Sequence, residues 1–316
     1  KALAQAADKW IDMGVDGFRL DAIKHIYHNA SSDENPTFLK KFYDHCNATY
    51  HAAGHTDDIY MVGEHFSEAG EVAPYYKGLP AFFEFCFWWR LSDAINNGRG
   101  SDFVGQIQSY QKLYAQYRTD YIEATKLSNH DEDRAAEVLG RSADKAKLAA
   151  AVLLSCSGHP YIYQGEELGY WGSKSGGDEY VRGPIRWTIG GALASAKVRY
   201  DSAMMTDELS VEAENEKENS VLTVYRNFAA ARRHYPALTY GILGYCSEVA
   251  GVQNVAAWYR ITDSQKMLVV HNFSAGSANL NFKSEPGIII CSNGTVSANG
   301  TKVTLGAYSS AIFLQK

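Results

Sequence analysis

Apolar residues in KALAQAADKWIDMGV fall at Leu3, Ala6, Ala7, Trp10 and Ile11, and Gly14 follows them. That spacing predicts a helix over 1–13 with a glycine stop. VDGFRL predicts a strand over 15–20. PTFLKKFYDHCNATYHAA predicts a helix over 36–53 closed by Gly54, and IYMVG a strand over 59–63. PAFFEF reads as a strand running into a helix. A helix over 102–117, a strand over 121–127 and a helix over 142–154 come next, then the strand HPYIYQGEELG. A polar, Gly-rich loop covers 170–215, and a helix covers 220–234. Five rounds of strand and helix imply a parallel sheet with crossover helices. After about residue 240 the period shortens. NVAAWYRIT, KMLVVHNFS, ANLNFK, GIIICSNG, TKVTLG and YSSAIFLQ are short strands between Gly, Asn and Ser turns, the pattern of an antiparallel β-sandwich. The expected domains are 1–240 (α/β) and 241–316 (sandwich).

Charge breaks this pattern at one kind of place. In VDGFRLDAIKH, Asp16, Arg19 and Asp21 sit among the apolar positions of a strand, where charges are rare unless paired. Asp21 follows the first strand, Glu64 follows IYMVG, Asp131 follows KLSNH, and Glu166 and Glu167 follow PYIYQG. Ligands of parallel α/β folds bind at the C-terminal ends of strands. Each acid alone reads equally well as a helix cap. Three of them, flanked by Arg19, His25, His130 and Arg134, point to one shared site. Three acids suit cleavage of a sugar acetal: one protonates the leaving oxygen, one attacks the anomeric carbon or activates water, and one steadies positive charge on the ring. Arg19 lies two residues before Asp21, on the same strand face, and keeps a nucleophilic carboxylate ionised. Metal-ligand spacings and a phosphate-binding Gly loop are both missing from the sequence.

Composition narrows the partners. A formal net charge of −6 argues against nucleic acid, which needs a basic face. The longest apolar runs fall short of a membrane span. The five cysteines (Cys46, Cys86, Cys156, Cys246, Cys291) are far apart and read as buried thiols. Of the many aromatic residues, Trp88, Trp89 and Trp258 read as packing, whereas Tyr170 and Trp171 in the Gly-rich loop are candidates for stacking on sugar. The chain begins inside a helix, which suggests a fragment of something longer that carries any targeting signal.

In this order, DGFRLDAIKH, YMVGEH and LSNHDEDR closely resemble three signature segments of the α-amylase family of glycoside hydrolases (family 13 type). GHPYIYQGEELG and DEYVRGPIRW resemble its last-strand and loop segments. EVAPYYKGLPAFFEFCFWWRL and YIEATKLSNHDEDR are most similar to members from Bacteroides-type gut bacteria that degrade starch at the cell surface. The resemblance implies the C-terminal part of a (β/α)8 TIM barrel, strands 4–8, followed by a small antiparallel β-sandwich. It implies a retaining hydrolase of α-1,4-glucans. In it Asp21 is the nucleophile, Glu64 the general acid/base and Asp131 the transition-state stabiliser. Arg19, Lys24, His25, His130 and Arg134 are substrate-binding residues by the same resemblance; Asp178 and Arg182, in the loop after the last strand, are added to them. His65 and Phe66 shape subsites. It also implies a structural calcium with the His25 carbonyl as one ligand, a secreted or cell-surface location, and a missing N-terminal half. The competing expectation is a catalytically silent module that binds glucan or a partner protein.

Overall fold

The computed structural model describes residues 1–29, 31–191 and 206–315. Part of the expected 170–215 loop therefore lies outside the described residues. The chain falls into two compact units, Lys1–Cys86 with Gln108–Thr125, and Phe87–Ile107 with Lys126–Lys316.

The first unit is built on a parallel sheet, β1 (Gly17–Leu20), β2 (Tyr60–Gly63), β3 (Ala81–Glu84) and β4 (Ile122–Thr125), in that order. Arg19 is level with Val62, and Leu20 with Gly63. Helices α1 (Ala2–Asp12) and α2 (Glu34–Ala52) and the short α3 (Ala69–Val72) belong to it. Two helices, α4 (Phe85–Asn97) and α5 (Phe103–Tyr114), carry the chain between β3 and β4. Met61, Val62, Ala81, Phe82 and Ala124 of the strands are buried with Leu39, Tyr76 and Tyr114. The Tyr76 ring lies 4.7 Å from Phe82 and 4.9 Å from Tyr114. Asn35, wholly buried, ties the turn after β1 to α2: its amide donates to the Lys24 carbonyl and accepts from the Tyr27 N–H.

In the second unit the short α6 (Ala135–Val138) precedes α7 (Ala143–Ser155), which Ser142 caps by accepting from the Lys145 N–H. The Ala- and Leu-rich α7 is buried from Ala146 to Ser155. The expected strand in HPYIYQGEELG is reduced to one parallel bridge, Lys126 with Tyr161, and a 3-10 turn, Glu166–Leu168. Pro160 has no N–H to give a ladder, and Gly165, at φ +84°, turns the chain away. After α8 (Val211–Asn215) come α9 (Val221–His234), capped by Ser220, and α10 (Pro236–Tyr240).

The remaining strands form two antiparallel sheets. β5 (Ile242–Tyr245), β6 (Val255–Ile261), β7 (Lys266–Asn272), β12 (Ser310–Leu314) and β9 (Ile288–Asn293) make one, in that order. β10 (Val296–Asn299), β11 (Lys302–Leu305) and β8 (Ala278–Asn281) make the other. Their inner faces share one core, including Val255, Leu268, Val270, Leu280, Val303 and Phe313, as expected of a β-sandwich. β5 and β10 were not among the expected strands. Gly244 interrupts the first, and the second reads as turn residues.

The carboxyl end of α7 is met by two buried arginines. Arg232 of α9 donates to the carbonyls of Leu154, Cys156 and Gly158. Arg260 of β6 donates to those of Ser155 and Cys156, and the Trp258 indole also donates to Ser155. Cations here satisfy the last carbonyls and face the negative end of the helix dipole. All five cysteines are buried and none is in a disulfide.

Candidate active site

Two polar clusters contain the expected site residues, one in each unit. In the first, β1 and β2 run parallel and in register, so Asp21 and Glu64 leave the same end of adjacent strands. The Glu64 N–H donates to the Leu20 carbonyl at 2.8 Å, and the Ile23 N–H to the Glu64 carbonyl at 3.1 Å. Arg19 spans both acids: Nη1 is 2.7 Å from Asp21 Oδ1, and Nη2 is 2.8 Å from Glu64 Oε2. The Asp21 side chain is 72% exposed and that of Glu64 only 12%. One acid is open to a ligand and the other recessed. The Ala22 N–H, on a residue at φ +45°, lies 3.4 Å from Glu64 Oε2. A left-handed alanine costs conformational energy, which the surrounding bonds must hold in place.

Lys24 Nζ donates to the Phe66 carbonyl at 2.8 Å and approaches Ser67 Oγ at 3.4 Å, bracing the segment after Glu64. His25 ends a 3-10 turn, Ile23–His25, with its residue exposed. His65 is buried edge-on to Tyr75, with ring centroids 4.4 Å apart. Burial and the Lys24 charge push its imidazole down to about 4, so it is neutral packing in this arrangement and not an exposed wall. Phe66, half exposed, presents its ring beside Phe85. The sequence reading passed over Glu84, which ends β3. It is buried and takes hydrogen bonds from the Tyr114 hydroxyl and the Cys86 N–H.

In the second unit Asp131 is met by three basic side chains. His130 Nε2 is 2.9 Å from Oδ2; Arg182 Nη2, at 2.9 Å, and Lys174 Nζ, at 3.2 Å, share Oδ1. Asp178 takes the same two cations at 2.7 and 3.0 Å. Arg182 Nε also donates to the His130 carbonyl. Partial burial pushes the Asp131 carboxyl up, but the Lys174 bond and the His130 and Arg182 charges outweigh it and hold it below the usual carboxylate range. Asp178 and Arg182 thus stand with His130 and Asp131. The sequence reading missed Lys174, which stands four residues before Asp178 and eight before Arg182 in KSGGDEYVRG. It also missed Asp133, which anchors this loop by accepting from Ser173 Oγ and the Lys174 N–H.

Arg134 and Tyr170 are placed differently from expectation. Arg134 is 1% exposed, donates to the Gln164 carbonyl at 2.9 Å, and lies over the rings of Tyr163 and Tyr170. Tyr170 is also 1% exposed, and its hydroxyl accepts from the Arg186 N–H. Both hold the loop and neither offers a face to sugar. Trp171 is half-buried under the Arg141 guanidinium. Trp88 and Trp258 are buried, as expected. Among the described residues, no group of three His, Cys, Asp or Glu side chains is placed to hold a metal ion. Calcium on the His25 carbonyl would need its other ligands from elsewhere.

Residues 1–241 match the α-amylase catalytic domain, and residues 255–312 match the α-amylase SusG C-terminal domain. The chain is 48% identical to the α-amylase SusG of Bacteroides thetaiotaomicron, covering 99% of this chain and 46% of that protein. It is 31% identical to α-amylase 3 of Dictyoglomus thermophilum, covering 96% of this chain and 59% of the other. The solved structure of the α-amylase from H. orenii superposes with a TM-score of 0.85 at 28% identity, over all of this chain and 64% of that one. The chain therefore spans roughly half the length of these two relatives, and its parallel sheet with a following sandwich is the C-terminal part of their barrel architecture. The chain belongs to the α-amylase family of glycoside hydrolases.

Proposed function

We propose that the protein containing this chain is a retaining hydrolase of α-1,4-glucans such as starch and maltooligosaccharides. One observation carries the reading: a single guanidinium, Arg19, holds the exposed Asp21 and the recessed Glu64 side by side at adjacent strand ends. Two carboxylates sharing one cation suit the short separation of retaining enzymes, about 5–5.5 Å, better than the longer one of inverting enzymes. Asp21, kept ionised by Arg19, attacks the anomeric carbon and forms a glycosyl ester. Glu64 gives its proton to the departing glycosidic oxygen, then takes one from the water that hydrolyses the ester. Asp131, ionised among its cations, and His130 take substrate hydroxyls and favour charge on the ring.

A preceding part of the same protein completes the barrel in this reading. The parallel sheet ends at β1, whose neighbour among the described strands is β2, and α1 leaves Leu3 and Trp10 about half exposed. A glucan polymer is too large to cross a membrane intact, which favours action at or outside the cell surface. No helix of the described residues is long and apolar enough to cross a membrane.

The test is release of reducing ends from soluble starch by the full-length protein, with the anomer first formed read by NMR. Glu64→Gln and Asp21→Asn are expected to lower kcat by roughly 10³-fold or more, and the first product is expected to be the α-anomer. A first product of β configuration would sink the retaining mechanism. No cleavage by the wild type, with glucan still bound, would leave the silent module standing.

A further inference from the structure

Glu166 is a strand-end acid that the chemistry above leaves unused, and its surroundings differ from those of the others. It is 5% exposed. Its Oε2 accepts from the Ser128 hydroxyl at 2.9 Å and the Ser128 N–H at 3.3 Å, and its Oε1 accepts from the Tyr225 hydroxyl of α9 at 2.7 Å. Ser128 lies three residues before Asp131. Between β4 and Asp131 the backbone has left the sheet ladder except for the Lys126–Tyr161 bridge. The turn then closes on itself, with the Asp131 N–H donating to Asn129 Oδ1 at 2.8 Å. The Glu166 carboxylate ties this turn to the rest of the unit through Ser128, and Arg182 ties it through the His130 carbonyl.

We propose that Glu166 is a positioning residue for Asp131: its ionised carboxylate, anchored on Tyr225, grips Ser128 twice and so fixes the turn that aims Asp131 and His130. The inference rests on the reading of Asp131 as the transition-state stabiliser. An ionised carboxylate accepts all three donors, whereas a protonated one gives up acceptor capacity and must find a partner for its own hydrogen. The charged or titratable groups facing it are Lys126 at the end of β4, Arg134 at the start of α6, Tyr225 on α9 and its neighbour Glu167. Burial pushes Glu166 up to about 7, against the pull of the Tyr225 and Ser128 bonds and the Lys126 charge. The grip therefore weakens as the medium turns from neutral to mildly acidic.

The experiment compares full-length wild type with Glu166→Gln, Tyr225→Phe and Ser128→Ala. In Glu166→Gln, kcat on a maltooligosaccharide is expected to fall roughly tenfold or more, with KM moving less than about twofold. The step near neutrality in the kcat–pH profile should disappear. Tyr225→Phe and Ser128→Ala keep the carboxylate and should give smaller losses in kcat in the same direction. The His130 imidazole, paired to Asp131 at 2.9 Å, supplies a readout independent of turnover. Its ring NMR signals, assigned with His130→Gln, should move in Glu166→Gln. Unchanged kcat and unmoved His130 signals would overturn the proposal. If Glu166→Gln does not fold, unchanged kcat in both other variants would overturn it equally. If the wild type cleaves no glucan, the hydrolase reading fails, and the His130 signals still decide the role of Glu166.

Discussion

At the scale of single residues, Arg19 shows what side-chain spacing conveys and where it stops. Its place two residues before Asp21 put both on one strand face, and the ion pair is there at 2.7 Å. Its second bond, to Glu64, joins residues 45 apart in sequence and depends on the β1–β2 register. Lysine would offer one compact charge in place of a two-pronged planar group. Arg19→Lys is expected to lower kcat/KM by roughly 10²-fold with the far-ultraviolet circular dichroism unchanged; a loss under about threefold would show that the fork is dispensable. Arg134 marks the opposite case. Its residue type and its place in LSNHDEDR suggested a substrate contact, but residue type does not reveal burial. The Tyr163 and Tyr170 rings that enclose it come from residues some 30 to 36 positions later.

At the scale of elements, apolar periodicity located nearly every long helix within two or three residues. Helix α9 (Val221–His234) was expected over 220–234 and is held there by its Ser220 cap and by Pro236 beyond its end. Short elements were less legible, because a four-residue strand has too few positions to establish a period. β5 and β10 were missed for that reason. HPYIYQGEELG carried a strand composition that its proline and glycine overrule. Close approach between strands was also invisible. A Cβ on Gly17 would meet the Tyr60 carbonyl oxygen at 2.2 Å, so only glycine lets β1 lie in its register beside β2. Gly17→Ala is expected to destabilise the fold by about 1–3 kcal/mol, seen as a lower urea midpoint. An unchanged midpoint would mean that the strands part without cost.

At the scale of the whole chain, the boundary expected between residues 240 and 241 does not coincide with either compact unit, because the sandwich packs into the same unit as α7 and α9. His271 of β7 lies within it, wholly buried, between Ser155 Oγ at 3.2 Å and Ser310 Oγ at 2.7 Å, with its ring against Trp258. Burial pushes its imidazole down to about 3. A histidine whose pKa falls on folding contributes stability that is full above its unfolded value, about 6.5, and is lost as pH falls from there toward about 3. In His271→Gln that part of the acid sensitivity should vanish, so the urea midpoint measured at intervals from pH 7 to pH 4 should fall less steeply than in wild type. Equal slopes would place the proton elsewhere.

The arginine cap on α7 has a consequence for how such proteins can be recombined. Of the groups that close the end of this buried helix, Arg260 and Trp258 belong to the sandwich. A sandwich borrowed from another protein would bring a folded body without those donors. The carbonyls of Ser155 and Cys156 would then be enclosed with fewer partners, at a cost of about 1–3 kcal/mol for each one left unsatisfied. Exchange of this region between relatives should therefore succeed only where the incoming strand carries an arginine and a tryptophan two positions apart, so the join is a lock and not a linker.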